Sequence, residues 1–298
     1  MNDLVSVIIP TFSRPDNLVR AIESVLAQTY SPIEIIIVDD NGINTSYQKE
    51  TEKLLLPFIN SGAIKYLKHE INKNGSAARN TGFQASKGLF INFLDDDDEF
   101  MPDKISCQVE KLKESTADIG ACFCNTKVKY KYHDEYLINS KEGNIVQEIL
   151  CGEAFFNTST VLFKREVINK INGFDESFRR HQDWELYVRF FRYYKMCNAS
   201  KQFLLIKNVT ETVVITANPL RQIEYREKFL NTFMTDINNM PKANKIYCFQ
   251  YLSLGNLLMF YKKRYIALKY ILKAYEYQLP TFKSIKENII CFLKSFIL

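Results

Sequence analysis

The stretch Phe93-Leu94-Asp95-Asp96-Asp97-Asp98-Glu99 places four consecutive aspartates directly after a short apolar run. That run is typical of a buried strand, so the acidic residues begin where the strand must end. So much like charge requires a compensating cation, because each carboxylate raises the pKa of its neighbours and their repulsion costs stability. On an extended backbone Asp95 and Asp97 would face one side, and Asp96 and Asp98 the other.

Carboxylate oxygens are hard ligands of the kind that Mg²⁺ and Mn²⁺ prefer. We therefore predict that the acidic run holds one of these ions, and that the ion in turn grips a substrate diphosphate. The alternatives are a solvated acidic turn and a calcium loop. No glycine-spaced EF-hand pattern follows the run, and an acidic turn rarely ends a buried strand.

Predicted strands and helices alternate over the first 100 residues of this 298-residue chain. We predict strands at 5–10, 33–38, 63–67 and 89–94, and helices at 16–28, 44–59 and 75–86. Nearly continuous apolar strands separated by helices predict an α/β fold with a parallel, doubly wound sheet. Such sheets bind ligands at the carboxyl ends of their strands, where the polar clusters of this sequence lie. The absence of G-x-G-x-x-G and Walker A patterns argues against dinucleotide oxidoreductases and P-loop NTPases.

The next part of the chain mixes elements as far as about residue 216. We predict a helix at 102–113, strands at 118–124 and 159–163, a hairpin from 128–132 and 136–138, and an amphipathic helix at 183–194. Beyond Pro219 the sequence changes to helices rich in Tyr, Phe and Lys.

Six short pieces, in order along the chain, resemble the family 2 glycosyltransferases, which are inverting nucleotide-sugar enzymes of the GT-A fold. The pieces are VIIPTF at 7–12, IIVDDNG at 36–42, NGSAARNTG at 74–82, FLDDDD at 93–98, GFDE at 173–176 and QDWEL at 182–186. The resemblance covers about residues 4–195. It implies a Rossmann-like, mostly parallel sheet, with a nucleotide-sugar-binding half at 1–100, an acceptor-binding half at 101–218 and a helical C-terminal region at 219–298.

The resemblance also implies roles for residues that bind the nucleotide sugar. Asp39 would accept a hydrogen bond from uracil N3, with Pro10 and the backbone of Thr11 beside the base. Arg79 would approach the uracil or the diphosphate, where a guanidinium fork suits planar acceptors. The alternative for Arg79 is a surface charge on a helix, but the small residues around it favour close approach of a ligand.

In the acidic run, the resemblance identifies a D-x-D motif in Asp95 and Asp97. Asp97 would be the direct metal ligand, and Asp95 would lie nearer the ribose and the metal-bound waters. Asp96 is expected to contribute to the nucleotide-sugar site. The ion, Mn²⁺ or Mg²⁺, would neutralise the diphosphate for binding and stabilise the charge that develops on the departing nucleoside diphosphate.

The resemblance assigns the catalytic base to Asp183, which would deprotonate the acceptor hydroxyl as it attacks the anomeric carbon from behind. An α-linked donor would then give a β-glycoside. The alternative for Asp183 is a helix N-cap, a common use of aspartate that is compatible with the first role. Many relatives have Glu just before the base, where this chain has Gln182. His181 and Trp184 are candidate contacts to the acceptor or the diphosphate.

The C-terminal region is distinct in charge, because residues 220–298 contain 13 basic, 5 acidic and 15 aromatic residues. Apolar positions at 254–261 and 266–275 predict an antiparallel helix pair, followed by an apolar segment at 285–298. A basic, aromatic surface suits an anionic membrane leaflet, and packing on the catalytic domain or a dimer contact is the alternative. We expect no signal peptide at 1–10 and no membrane span.

The resemblance implies a metal-dependent hexosyltransferase that uses a UDP-sugar, with glucose or galactose as the sugar. It also implies an acceptor saccharide on a lipid diphosphate of the GlcNAc-diphosphoundecaprenol type, because the chain resembles the β-1,3-hexosyltransferases of bacterial O-antigen or capsule synthesis. The protein would lie in the cytoplasm, peripherally on the inner membrane, without a nucleic-acid partner. The alternatives are a different donor, a processive synthase, which the missing membrane spans disfavour, and a catalytically inactive nucleotide-sugar-binding protein.

Overall fold

A computed structural model describes residues 2–154, 156–209 and 218–279 of the chain. The chain divides into two compact units. One comprises Met1–Ile145 and Phe155–Glu211, and the other comprises Val146–Ala154 and Thr212–Leu298. The boundaries predicted at residues 100 and 218 stay predictions.

The first unit is built on one mixed sheet. Its strands are β1 (Val5–Thr11), β2 (Ile33–Asp39), β3 (Lys65–Lys68), β4 (Phe90–Phe93), β5 (Asp98–Phe100), β6 (Ile119–Lys129), β7 (Asp134–Leu137), β8 (Val161–Lys164) and β9 (Lys195–Asn208). The order is β3-β2-β1-β4-β8-β6-β9-β5, with β7 paired to β6. Strands β1 to β4 are parallel, as predicted, and the four predicted segments match them within two residues at each end. Strand β8 runs antiparallel to β4 and to β6.

Helices separate these strands and pack on the sheet. They are α1 (Pro15–Leu26), α2 (Ser46–Asn60), α3 (Gly75–Ala85), α4 (Lys104–Lys113), α6 (Arg165–Lys170) and α7 (Gln182–Phe190), while the short α5 (Val146–Leu150) belongs to the second unit. Burial on both faces explains the nearly continuous apolar sequence of β1 and β2, since no residue from 35 to 39 is exposed to more than a few per cent.

Helix α3 approaches the sheet unusually closely at Gly82. A Cβ atom at this position would lie 2.3 Å from Ile8 Cγ2 and 3.2 Å from Val38 Cγ2. Only glycine therefore allows the helix to pack directly over β1 and β2. The consequence for the site is that Arg79, one turn earlier on α3, is held over the carboxyl ends of these strands.

The structure corrects several predictions in the middle of the chain. Residues predicted as two strands, 118–124 and 128–132, form the single strand β6, which pairs with β7. Helix α7 ends at Phe190, because β9 begins at Lys195. Strands β5 and β9 were not predicted. Strand β5 has an acidic sequence with no strand signal, and it forms because β9 offers a partner, with Asp98 opposite Lys207.

The acidic run is a turn and not an extended segment, which corrects the predicted alternation of its side chains. The backbone N–H of Asp98 donates to the carbonyl of Asp95 over 3.1 Å. This turn reverses the expected direction of Asp98. Its carboxylate therefore joins those of Asp95 and Asp97, while Asp96 points elsewhere.

The second unit is helical in its described part, with α8 (Arg221–Thr232), α9 (Met234–Asn238), α10 (Ala243–Phe260) and α11 (Arg264–Tyr277) in addition to α5. Helices α10 and α11 form the predicted pair and meet where Gly255 lies against Ile271. Leu254, Leu258 and Tyr270 are buried, whereas Leu272, predicted for the same interface, is 65% exposed. The apolar segment at 285–298 lies outside the described residues. Within the described residues, no helix has the length and apolar character needed to cross a membrane.

Candidate active site

A cavity of about 410 Å³ opens at the carboxyl ends of β1, β2 and β4. Five of the six residues predicted to bind a nucleotide sugar lie on its wall, namely Pro10, Thr11, Arg79, Asp95 and Asp96. These residues come from three separate parts of the sequence. The fold therefore brings them together at the edge of the sheet where ligands of parallel α/β proteins bind.

Asp39, the sixth residue, is completely buried and is not among the residues that line the cavity. Its Oδ1 accepts hydrogen bonds from the backbone and side-chain nitrogens of Asn41 at 2.9 and 2.8 Å, and its Oδ2 accepts one from the Tyr66 hydroxyl at 2.6 Å. Burial raises the pKa of Asp39, and these donors oppose that effect. The predicted contact of Asp39 with uracil stays a prediction.

The neighbouring Asp40, to which the sequence assigned no role, lies on the wall and organises the loop that leads into α3. Its Oδ1 accepts from the backbone N–H of Lys73 at 2.8 Å, and its Oδ2 accepts from the backbone N–H of Asn74 at 2.9 Å. The Asn74 side chain in turn accepts from the N–H groups of Ser76 and Ala77, which caps the helix. Asp40 thus fixes where α3 begins, and with it the position of Arg79.

Arg79 links three parts of the site and is not the surface charge that was its alternative. Its guanidinium donates to Asp95 Oδ1 at 2.7 Å and to Gln182 Oε1 at 3.0 Å, and only 10% of the side chain is exposed. The guanidinium also lies 5.5 Å from the ring centre of Phe174. Burial opposes ionisation of Asp95, but the nearby Arg79 and Lys207 lower its pKa, so Asp95 is a carboxylate at neutral pH.

The turn gathers three carboxylates into a group that fits a divalent cation. One oxygen each of Asp95, Asp97 and Asp98 lies within 4.8 Å of the other two. Three carboxylate oxygens from a partly buried turn are a suitable ligand set for Mg²⁺ or Mn²⁺. Asp98, which the sequence did not single out, is fully buried and accepts a hydrogen bond from Asn157 Nδ2 at 2.9 Å.

Three cations, of which Arg79 pairs with Asp95, together with two elevated pKa values explain how the fold tolerates four consecutive aspartates. Arg14 lies 2.9 Å from Asp96 and 2.5 Å from Asp97, and Lys207 lies 3.8 Å from Asp98. Burial raises the pKa of Asp96 to about 7 despite Arg14, and burial raises that of Asp98 to about 7 despite Lys207. The run therefore carries less than four full negative charges at neutral pH.

Asp183 is the second residue of α7 and is not its N-cap, because His181 occupies that position. Burial raises the pKa of Asp183 to about 6, an effect that the nearby Arg79 opposes and the nearby Asp95 reinforces. A carboxylate with such a pKa is deprotonated at neutral pH and is a stronger base than an exposed aspartate. Asp183 is therefore suited to accept a proton beside the Arg79–Asp95 pair.

His181 and Trp184 stack on each other with ring centres 4.7 Å apart and planes 8° from parallel. Neither belongs to the cavity wall, so their contact with an acceptor or a diphosphate stays a prediction. The wall instead receives Gln182 and two exposed arginines, Arg179 and Arg180, from the same segment. The adjacent pair of arginines was visible in the sequence, but nothing in its pattern placed it at the cavity.

Comparison with known proteins identifies the family and the fold of this chain. The model of the family described as "Glycosyl transferase family 2" matches residues 6–172. An uncharacterised glycosyltransferase of Rickettsia prowazekii is 30% identical over 78% of this chain and 71% of its own length. The UDP-Glc:alpha-D-GlcNAc-diphosphoundecaprenol beta-1,3-glucosyltransferase WfgD of Escherichia coli is 24% identical over 85% of this chain and 93% of its own length.

Among solved structures, the mannosyltransferase PcManGT of Pyrobaculum calidifontis, in complex with GDP-Man and Mn²⁺, has a similar fold. It superimposes with a TM-score of 0.60 over 99% of this chain and 81% of its own, at 15% sequence identity. Similarity at this level of identity is evidence for the fold alone. The structural similarity confirms the predicted GT-A fold.

Proposed function

The chain belongs to glycosyl transferase family 2 and is a glycosyltransferase with the GT-A fold, and we propose that it is metal-dependent and inverts the anomeric centre of a UDP-hexose. One observation carries this proposal. Asp95, on the cavity wall, is grouped with the carboxylates of Asp97 and Asp98, pairs with Arg79 and interacts electrostatically with the basic carboxylate Asp183. This combination meets the needs of an attack that requires an activated hydroxyl and a stabilised leaving diphosphate.

Donor binding is assigned to the cavity wall at the ends of β1 and β4. Pro10 and Thr11 would lie against the base, and Asp39 would accept a hydrogen bond from uracil N3. Arg79 already pairs with Asp95, and Arg179 and Arg180 add positive charge to the same wall. Guanidinium groups recognise phosphate oxygens in pairs, which suits a diphosphate.

Asp95, Asp97 and Asp98 would hold the divalent ion, Mn²⁺ or Mg²⁺. When bound, the ion supplies positive charge for the donor diphosphate in the ground state and for the leaving group in the transition state. The backbone hydrogen bond from Asp98 to Asp95 holds the turn, so the fold itself gathers the carboxylates that would bind the ion.

Asp183 would accept the proton of the acceptor hydroxyl. The oxygen of that hydroxyl forms a bond to the anomeric carbon on the face opposite the leaving group. The bond from that carbon to the diphosphate oxygen breaks, and UDP departs with its electron pair. One such displacement inverts the anomeric centre, so an α-linked donor gives a β-glycoside.

The identity of the substrates is supported by similarity. WfgD, whose name specifies UDP-Glc and a GlcNAc-diphosphoundecaprenol acceptor, aligns with 85% of this chain. We assign glucose or galactose as the sugar, and a lipid-linked saccharide of O-antigen or other surface polysaccharide synthesis as the acceptor. The GDP-Man complex of PcManGT makes a guanosine donor the first alternative to test.

The proposed function predicts turnover with one UDP-hexose, in the presence of Mn²⁺ and a synthetic GlcNAc-diphosphate-lipid acceptor. The assay measures nucleoside diphosphate release with UDP-Glc, UDP-Gal, UDP-GlcNAc and GDP-Man, and NMR determines the anomeric configuration of the product. Release should depend on the acceptor and stop when EDTA removes the metal. Donor binding without transfer to any lipid-linked acceptor would instead favour an inactive nucleotide-sugar-binding protein, and an α-linked product would contradict inversion.

Contact with the cytoplasmic face of the inner membrane is proposed for α11, which exposes an apolar stripe among basic residues. Tyr265 is 87% exposed and Leu272 is 65% exposed, with Leu268 between them at 45%. Lys262, Lys263 and Lys269 are exposed nearby. Apolar side chains flanked by lysines suit an anionic lipid surface.

For this contact we predict that the purified chain sediments with vesicles containing anionic lipid, and that salt weakens the interaction. The double variant Leu268→Gln/Leu272→Gln should bind about tenfold more weakly, because two side chains lose their apolar contact with the lipid. The matched control is Leu54→Gln/Leu56→Gln, which alters two exposed leucines of α2 in the first unit. Equal loss in both variants, or equal binding to uncharged vesicles, would refute the assignment.

A further inference from the structure

Arg14 occupies an unusual position for a residue of the loop between β1 and α1. Its guanidinium bridges two carboxylates of the acidic turn, with one nitrogen 2.9 Å from Asp96 Oδ1 and the other 2.5 Å from Asp97 Oδ2. The side chain is nevertheless 48% exposed and lies on the wall of the cavity. The Arg14 side chain thus forms an ion pair with Asp97, the residue that is predicted to bind the metal ion.

A divalent ion and this guanidinium compete for Asp97. Two cations on the same carboxylate repel each other strongly in a partly buried site. An ion that enters without a ligand must therefore break the pair between Arg14 and Asp97, and it leaves Arg14 paired only with Asp96. Asp96 is less affected, because Thr11 Oγ1 donates to its Oδ2 at 2.8 Å and holds it in place.

A diphosphate in the cavity changes this balance, because it offers Arg14 new anionic oxygens. The backbone of the loop is anchored nearby, where the N–H of Ser13 donates to Asn41 Oδ1 at 2.7 Å. Only the long, half-exposed side chain of Arg14 then has to move. A guanidinium fork binds phosphate oxygens as readily as carboxylate oxygens.

From this geometry we propose that Arg14 couples metal binding to nucleotide binding. It pairs with Asp97 while the cavity is empty and transfers to the diphosphate when metal and nucleotide enter together. Each ligand alone then binds weakly, and each strengthens the other by the same factor. The nucleotide part of this proposal rests on the proposed function, whereas the competition between Arg14 and the metal does not.

The alternative is that Arg14 merely neutralises the acidic turn. Two substitutions separate these cases. Arg14→Gln removes both the charge and the fork, whereas Arg14→Lys keeps the charge but cannot bridge two carboxylates in the same way. The matched control is Arg20→Gln, which removes a similarly exposed arginine that pairs with Glu99 at 2.9 Å and is not on the cavity wall.

The test measures Mn²⁺ affinity from the EPR signal of free Mn²⁺, with and without UDP, for the full chain and these three variants. In the unsubstituted chain UDP should tighten Mn²⁺ binding by a factor on the order of 100. In Arg14→Gln, Mn²⁺ alone should bind about tenfold more tightly and the factor contributed by UDP should fall about tenfold. Arg14→Lys should lie between the two, and Arg20→Gln should match the unsubstituted chain.

An unchanged effect of UDP in Arg14→Gln would overturn the coupling, and so would weaker or absent Mn²⁺ binding in that variant. Arg14→Lys equal to the unsubstituted chain would assign Arg14 to simple neutralisation and also reject the proposal. A further outcome is that UDP changes the Mn²⁺ affinity of no protein tested while Arg14→Gln still binds Mn²⁺ more tightly than the unsubstituted chain. That result would reject UDP as the nucleotide but support the competition between Arg14 and the metal for Asp97. Circular dichroism confirms that each variant is folded.

Discussion

Replacement of Asp97 by asparagine is expected to lower kcat/KM for sugar transfer at least about 1,000-fold, which corresponds to about 4 kcal/mol of transition-state stabilisation. Asp97 belongs to the cluster of three aspartates formed with Asp95 and Asp98, and it is the predicted direct metal ligand. An amide is a much weaker ligand than a carboxylate, and it cannot neutralise a cation. Mn²⁺-dependent binding of UDP should be lost together with activity.

The Asp97→Asn effect should be one of function and not of stability. The side chain is 20% exposed and its ion pair with Arg14 reaches solvent, so removal of the charge should change the free energy of unfolding by less than about 1 kcal/mol. Asp16→Asn, an exposed aspartate in the first turn of α1, is the control and should retain activity. More than a tenth of the original activity in Asp97→Asn would contradict the assigned metal site.

Asp183→Asn should also abolish transfer, by about 100- to 10,000-fold in kcat, but for a different reason. The amide cannot accept the proton of the acceptor hydroxyl. The donor cavity and the cluster of Asp95, Asp97 and Asp98 are unchanged. UDP and Mn²⁺ affinities should therefore stay within about threefold of the original values, which separates this variant from Asp97→Asn. Asp183→Glu keeps a base but displaces it, so it should retain more activity than Asp183→Asn.

The elevated pKa of Asp183 sets the expected pH dependence. A base acts in its deprotonated form, so kcat/KM should rise with pH up to about 6 and level off above it. The raised pKa of Asp183 has the opposite effect on the stability of the fold, which decreases as the pH rises. Because burial disfavours the carboxylate in the folded state, the stability contribution of this group is fully present below the unfolded pKa and is lost as the pH rises through about 6.

Asp183→Asn lacks this ionisation, so it should melt a few degrees higher than the unsubstituted chain at pH 8. The measurements are kcat/KM as a function of pH, and thermal unfolding at pH 4 and pH 8. If kcat/KM did not rise with pH up to about 6, or if Asp183→Asn bound the donor much more weakly than the unsubstituted chain, the role of Asp183 as base would be contradicted.

The sequence was sufficient for the first four strands and, with the family resemblance, for five residues of the cavity wall. Strands β1 and β2 are buried on both faces, so their apolar runs are long and unambiguous. In a parallel sheet, the carboxyl ends of neighbouring strands lie at one edge, so the polar residues predicted at those ends, including Thr11 and Asp95, lie on one cavity wall. Arg79 needed the family resemblance as well, since no periodic pattern distinguishes it from a surface arginine.

The rest depended on tertiary contacts that a linear pattern does not contain. Strand β5 exists because β9 pairs with it, and the turn before it directs Asp98 toward Asp95 and Asp97. Asp39 and Asp40 differ in their partners, because the Tyr66 hydroxyl donates to Asp39 and the backbone N–H of Lys73 donates to Asp40. The role of Arg14 likewise depends on a contact with residues more than 80 positions away.

The most direct test of the account is a crystal structure of the chain with UDP and Mn²⁺, with the metal located by anomalous scattering. The account predicts one Mn²⁺ ion coordinated directly by Asp97, with the diphosphate on the metal and the uridine against Thr11. A nucleotide bound outside this cavity, or Mn²⁺ without an Asp97 ligand, would contradict it.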